Sequence, residues 1–85
     1  MIEITEVRLT KTDNDDKQLA YGSITFENEF VVNGIRIIKN SNDEKFVAYP
    51  SRRNQNGEYK DICFPMTKEL RKEITSKVLA KYDTM

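Results

Sequence analysis

The first hydrophobic residues of the chain alternate with polar ones, which is the pattern of a β-strand with one buried face. The two isoleucines at the start share one parity, whereas Val7 and Leu9 share the other. A change of parity within a strand requires an extra residue on one side of the ladder. The pattern therefore predicts a strand over residues 2–10 with a bulge near Thr5.

The polar segment that follows, residues 11–17, is rich in acidic side chains. It faintly resembles a calcium-binding loop, but Lys17 occupies the position of a ligand and the glycine that such a loop requires is absent. We therefore expect a solvated loop between two strands.

Two further strands are predicted over residues 19–26 and 30–38, which are rich in β-forming side chains. In the second run both parities are apolar, which predicts a strand that is covered on both faces or lies at a subunit contact. Asn33-Gly34 within it could form a hairpin turn, but the flanking strands would then be very short. A bulge or bend at this position is the favoured interpretation.

A hairpin is predicted between residues 45–49 and 58–64, because Asn56 and Gly57 tolerate a positive φ. With a two-residue turn, Arg53 faces Lys60 and the arginine before it faces Asp61. With a three-residue loop that begins at Gln55, Arg52 faces Lys60 and the other arginine faces Tyr59. In either register an arginine lies opposite a lysine, which is destabilising unless an anionic partner binds there.

The last element is predicted to be a helix. Pro65 ends the sheet because proline cannot donate to a ladder, and Thr67 is a candidate N-cap. An apolar stripe at helical spacing runs to about Lys81 and consists of Leu70, Ile74 and Val78, with Leu79 and Tyr82 nearby. The expected fold class is α+β, with an antiparallel β-meander of about five strands and one C-terminal helix packed on the sheet, in a single domain over residues 1–85.

The amino-acid composition mainly excludes classes of function. The chain has 85 residues, one cysteine and no histidine, so the commonest general base and metal ligand are absent. We therefore expect no enzyme, no small-molecule substrate, no cofactor and no metal site. Cys63 lies in an apolar run and is interpreted as a small buried hydrophobe.

Two features of the sequence indicate a cytoplasmic protein without a membrane partner. No run approaches the roughly 18 apolar residues of a membrane span. The N-terminus carries acidic residues where a signal peptide carries basic ones.

Charge is unevenly distributed although the chain is neutral overall. Residues 1–30 contain three basic and seven acidic residues, whereas residues 31–85 contain eleven and seven, so the two parts carry −4 and +4. Two surfaces of the second part are basic: the predicted hairpin and the outer face of the helix, with Lys68, Arg71, Lys72, Lys77 and Lys81. Ordinary solvated charge explains the hairpin as well as an anionic partner does. It explains the helix face better than a partner does, because Glu69 and Glu73 lie among the basic residues there.

Four stretches of the chain together resemble a known family. VRL near the start, FVVNGIRII, FVAYPSRRNQNGEYKDI and ELRKEITSKVLAKY are similar, in order and spacing, to the stage V sporulation protein G (SpoVG, septation regulator) family of bacteria. The most specific stretch is Phe46–Ile62. The chain departs from the family's usual His-Asp at Asn33-Gly34, from its Met at Tyr49 and from its His-Pro-Ile at residues 64–66.

The resemblance implies a small α+β protein, often a homodimer, that binds DNA and RNA and regulates septum formation, sporulation and gene expression. The candidate phosphate-contacting residues are Arg52, Arg53, Lys60, Arg71 and Lys72. Tyr49 and Tyr59 are candidates for stacking on bases, although tyrosine in a strand is more often a packing residue. The alternative function is a protein-interaction module of the cell-division or regulatory machinery, which docks on acidic partners and does not itself bind nucleic acid.

Overall fold

The computed structural model describes residues 1–12 and 17–85 and contains one sheet, one smaller β-ribbon and one helix. The main sheet is antiparallel, with the strands in the order β1 (Ile4–Lys11), β2 (Gln18–Phe26), β3 (Phe30–Lys39) and β4 (Lys45–Ala48). The ribbon consists of β5 (Ser51–Arg53) and β6 (Tyr59–Asp61), and α1 spans Lys68–Asp83. The predicted α+β class with a C-terminal helix is confirmed. The loop predicted for residues 11–17 falls mainly on positions outside the described ranges.

Both irregularities predicted within the main sheet are confirmed. The register between β1 and β2 shifts between Ile4 and Glu6, which leaves Thr5 as a bulge. Strand β3 continues through Asn33 and Gly34, and its register with β2 shifts at the glycine, whose φ is 89°. Position 34 is therefore a bulge in the left-handed region, which favours glycine, and not a hairpin turn.

The hairpin predicted around Asn56 and Gly57 is present, but the strands on either side of it differ from the prediction in two respects. Pro50 has no N–H to donate, so the run before the turn divides into β4, which pairs with β3, and β5, which pairs with β6. The last strand ends at Asp61. Beyond it, Ile62 still donates its backbone N–H to the carbonyl oxygen of Pro50 at 2.7 Å, but residues 62–64 are not part of a strand.

Helix α1 packs on one face of the main sheet. Thr67 is its N-cap, as predicted, because its hydroxyl accepts from the backbone N–H of Leu70 at 3.2 Å. The helix continues two residues beyond the predicted end. The buried hydrophobic residues are Ile4, Ala20, Ile24, Phe26, Ile35, Ile37, Val47, Tyr49, Ile74 and Val78. No helix within the described ranges is both long enough and apolar enough to cross a membrane.

The opposite face of the main sheet is not covered by any described element. The cross-strand register places Tyr21, Val31, Ile38 and Phe46 on this face, which we call the open face. Tyr21, Val31 and Phe46 are each about half exposed. The prediction that β3 is covered on both faces is therefore wrong for the single chain. The alternative, that β3 lies at a subunit contact, stays a prediction.

Candidate functional site

The basic hairpin, which we define as residues 51–61, carries three of the predicted site residues on exposed positions. Its register is the one expected from a three-residue loop, with Arg52 opposite Lys60 and Arg53 opposite Tyr59. Because side chains alternate between the two faces of a ribbon, Arg52 and Lys60 share one face and Arg53 and Tyr59 share the other. The predicted basic cluster is thus divided between two faces of one hairpin.

The turn of the basic hairpin is organised by Asn54. Its side-chain oxygen accepts from the backbone N–H groups of Asn56 and Glu58, each at 2.9 Å. Its backbone N–H donates to the carbonyl oxygen of Glu58 at 2.8 Å, and its carbonyl oxygen accepts from Gly57 at 3.1 Å. Gly57 has a φ of 82°, which a residue with a side chain rarely adopts. These bonds fix the loop that separates the two strands of the ribbon.

The basic side chains of the hairpin have no acidic partners among the described residues. The ion pairs among the described residues involve bases outside the hairpin, namely Arg8, Lys39, Lys45 and Lys77. Arg52 and Lys60 therefore face each other as like charges without an internal counter-ion. Their charge is available to an anionic ligand.

Arg71 connects the helix to the base of the basic hairpin. Its guanidinium carbon lies 5.6 Å from the ring centroid of Tyr49, two residues before β5. Asp61, at the other end of the ribbon's base, is close enough to influence the same tyrosine. Of the two helix residues predicted for the site, Arg71 is therefore placed beside the hairpin. Lys72 is exposed, and its side chain makes no hydrogen bond or ion pair within the described ranges.

The two candidate stacking residues have different environments. Tyr59 is 71% exposed on the face of the hairpin that also carries Arg53, so its ring is open to a base. Tyr49 is only 6% exposed and belongs to the core, which leaves no ring face open. Burial raises the pKa of Tyr49, while the Arg71 guanidinium lowers this pKa and the Asp61 carboxylate raises it. The interpretation of Tyr49 as a packing residue agrees with this placement.

Two residues near the site differ from their sequence interpretation or were not identified. Cys63 was expected in the core but is only half-buried, because β6 ends before it and the chain leaves the ribbon. Asn54 was not identified as a turn organiser. The sequence does contain a signal for this role, because the pattern Asn-x-Asn-x-Glu occurs twice. Asn40 begins Asn-Ser-Asn-Asp-Glu, and Asn54 begins Asn-Gln-Asn-Gly-Glu.

Comparison with known proteins places the chain in a family. The model of the SpoVG family matches residues 2–84. A relative from Acetivibrio thermocellus is 43% identical over 84 residues, which cover 99% of this chain and 88% of that protein. Relatives from Archaeoglobus fulgidus and Clostridium acetobutylicum are 39% and 43% identical over 82 residues, covering 96% of this chain and 95% and 85% of those proteins. All three carry the provisional name septation protein SpoVG. The chain therefore belongs to the SpoVG family.

Proposed function

We propose that this protein is a cytoplasmic regulator of septation that binds DNA or RNA through phosphate contacts of the basic hairpin. The observation that carries the proposal is the pairing of Arg52 with Lys60, both exposed and without a described acidic partner. Two cations directly opposite each other destabilise a ribbon in isolation, whereas a phosphate bound between them accepts charge-assisted hydrogen bonds from both. The proposed function is binding, with no catalytic step.

The other face of the hairpin supports the same proposal for single strands. Tyr59 offers an exposed ring beside Arg53, and single-strand binders combine aromatic rings with basic side chains in this way. Arg71 lies at the base of the hairpin, so the helix extends the positive surface from that side. Phosphate contacts of this kind orient the nucleic acid but do not read its sequence.

A binding titration of labelled DNA and RNA tests the proposal. The first variant is Arg52→Ala with Arg53→Ala, and the matched control is Arg8→Ala with Lys39→Ala, which removes the same charge from the main sheet. We expect the hairpin variant to lose affinity for all sequences about equally and the control to retain it. In the wild type, affinity should fall with salt, with a log–log slope of roughly −0.7 to −0.9 per phosphate contact.

The outcomes of this titration separate the two functions considered for the sequence. If the hairpin variant folds and binds nucleic acid as tightly as the wild type, the hairpin is not the site. The same loss in Lys72→Ala but not in the hairpin variant would move the site to the helix. If the wild type itself binds no nucleic acid, a protein-interaction module that docks on acidic partners replaces the proposal.

We also propose that the protein is a homodimer that associates through the open face. The half-exposed side chains Tyr21, Val31 and Phe46 lie on this face, with Val31 near one end of β3 and Phe46 beside the other end. A chain of this size buries only a small core by itself. Light scattering at micromolar concentration should give the mass of two chains for the wild type and of one chain for Val31→Lys with Phe46→Lys. A monomer mass for the wild type would contradict the proposal.

A further inference from the structure

An apolar cleft lies on the helix side of the main sheet, away from the open face. Its volume is about 340 Å³, at the low end of ligand-binding cavities, and it lies between the turn after β2, the segment 63–65 and the first half of α1. Buried side chains such as Ile24, Ile35 and Ile74 form part of its lining. The cleft is thus an opening into the core itself.

Large hydrophobic side chains surround the mouth of the cleft without covering it. Phe30 is 65% exposed and Phe64 is 53% exposed, and Ile2 is about half exposed at the same opening. Met66 is 87% exposed beside an adjoining depression. Contiguous exposed apolar surface on a small soluble protein usually marks an interaction site. The large side chains around the mouth of the cleft are therefore suited to contact large apolar groups of a partner.

The charged residues that line the cleft and the adjoining depression are all acidic. Glu27 and Glu29 line the cleft, and Glu69 lines the depression, whereas neither is lined by a lysine or arginine. Glu29 and Glu69 form no ion pair with any residue in the described ranges. The opening therefore presents negative charge along its edge at Glu27 and Glu29 and beside Glu69, whereas Arg71 borders the lining at the ring of Tyr49.

The turn that carries Glu27 and Glu29 is held in an unfavourable conformation by contacts with the start of β1. Glu27 and Asn28 both have a φ of 55°, in the left-handed region. The backbone N–H of Glu27 donates to the carbonyl oxygen of Glu3 at 2.8 Å, and the N–H of Glu3 donates back to Glu27 Oε1 at 2.8 Å. Thr5 Oγ1 accepts from the N–H of Asn28 at 3.0 Å. The acidic edge of the cleft is consequently fixed in place before any partner binds.

We propose that this cleft binds a peptide segment of a partner protein that inserts one or two large apolar side chains and carries lysine or arginine on both sides of them. The apolar lining accommodates the inserted side chains, and the acidic edge attracts the flanking basic residues. The cleft shares no residue with the basic hairpin, and the two surfaces approach each other only where Arg71 lies over Tyr49. The protein thus has two binding surfaces of opposite preference.

The negative charge of the cleft disfavours two other occupants, a nucleic acid and a second copy of this chain. A nucleic acid is repelled by Glu27, Glu29 and Glu69. A symmetric contact between two copies centred on the cleft brings the same carboxylates together across the interface, because a two-fold axis pairs a patch with itself. A basic and apolar peptide meets neither penalty.

Selection from a displayed library of short random peptides tests the proposal. The immobilised protein is the full chain treated with nuclease, so that bound nucleic acid cannot capture basic peptides. Peptides enriched on the wild type should share a large apolar residue flanked by lysine or arginine. Their affinity should fall about tenfold or more for Phe30→Ser, as for loss of a central aromatic anchor, and roughly threefold for Glu29→Lys at low salt.

Matched controls assign these losses to the cleft. Phe30 and Glu29 are exposed, so both variants should melt as the wild type does. Glu44→Lys makes the same charge change in the turn before β4 and should leave peptide affinity unchanged. Both cleft variants should retain nucleic-acid binding, so failure of this proposal is distinguishable from failure of the hairpin proposal.

Three outcomes would overturn the proposal. The first is a selection that enriches no peptide, or that enriches acidic ones. The second is an enriched peptide that binds Phe30→Ser and Glu29→Lys as tightly as the wild type. The third is a change from dimer to monomer in Phe30→Ser by light scattering, which would make the cleft a contact between two copies of this chain.

Discussion

The guanidinium of Arg71 lies over the ring of Tyr49, with its central carbon 5.6 Å from the ring centroid. This contact joins the first half of α1 to the chain between β4 and β5, where the main sheet ends and the ribbon begins. Arginine over an aromatic ring stabilises by about 0.5–1 kcal/mol at partly exposed sites. The base of the basic hairpin is therefore held to the core by a residue that the sequence assigned to nucleic-acid binding.

The hydroxyl of Tyr49 gives the first prediction, because it is buried and has no hydrogen-bond partner among the described residues. Replacing Tyr49 with Phe removes this unsatisfied group and keeps the ring beneath Arg71. We expect the free energy of unfolding to stay equal or to rise by up to about 1 kcal/mol. Urea denaturation of the two proteins at neutral pH measures the difference, and a clear loss of stability would show that the hydroxyl has a partner.

A pH dependence follows from the raised pKa of the same tyrosine as a second prediction. The phenol ionises near its ordinary pKa of 10.0 in the unfolded chain but at higher pH in the folded one. Its contribution to stability is fully present below pH 10.0 and is lost as the pH rises through the folded-state pKa. The wild type should therefore lose more stability than Tyr49→Phe in this alkaline range. Parallel loss in both proteins would assign the effect to other groups.

The alternation of apolar and polar residues was sufficient to predict much of the fold. The parity change near Thr5 predicted a bulge because each strand residue points to one face or the other, and the stripe through Ile74 predicted the buried side of the helix. The division of a strand at Pro50 was missed, because the apolar pattern does not show which neighbour each half pairs with. The pattern also could not show that Tyr49 faces the core, since both parities are occupied there.

The site itself was predicted in its composition but not in its arrangement. The exposed bases of the hairpin were identified, yet their division between two faces depends on a register that the sequence left open. The cleft was not predicted, because its lining comes from segments far apart in the chain, including Ile2, Phe30 and Phe64. No local pattern indicates that such residues meet around a common opening.

The third prediction concerns the difference in burial along the helix. Ile74 is 3% exposed, whereas Leu70 is only partly buried and lines the apolar cleft. Ile74→Ala should lower the free energy of unfolding by about 2–5 kcal/mol, as for other fully buried residues. Leu70→Ala should cost less, because part of its side chain already contacts solvent. Chemical denaturation measures both, and equal losses would show that the cleft is closed in solution.

The fourth prediction separates stability from binding at the basic hairpin. Replacing Arg52 and Arg53 with alanine relieves the repulsion between Arg52 and Lys60 and removes no core contact. We expect the melting temperature to stay constant or to rise slightly, even though nucleic-acid affinity falls. Differential scanning calorimetry measures the melting temperature. A large decrease would mean that these arginines have a structural role, and the loss of binding could then not be assigned to phosphate contacts.

The fifth prediction uses two turns that have similar sequences and the same hydrogen-bond pattern. The side-chain oxygen of Asn40 accepts from the N–H groups of Asn42 and Glu44, at 2.9 and 3.0 Å, just as Asn54 does in the basic hairpin. Asn40→Ala and Asn54→Ala should each lower the free energy of unfolding by about 1 kcal/mol, because each loses two exposed hydrogen bonds whose backbone donors then bind water. Since the turns are separate, the two losses should add in the double variant.

The same pair of variants distinguishes a structural turn from a functional one. Only Asn54 orders the loop that sets Arg52 opposite Lys60, so only Asn54→Ala should weaken binding of labelled DNA or RNA. Asn40 lies between β3 and β4, so Asn40→Ala serves as the control. We expect this control to lose a similar amount of stability and to keep its affinity for nucleic acid. Measuring both affinities at a temperature where each variant is fully folded removes the contribution of unfolding. An equal loss of affinity in the two variants would mean that general stability, and not the order of the basic hairpin, determines binding.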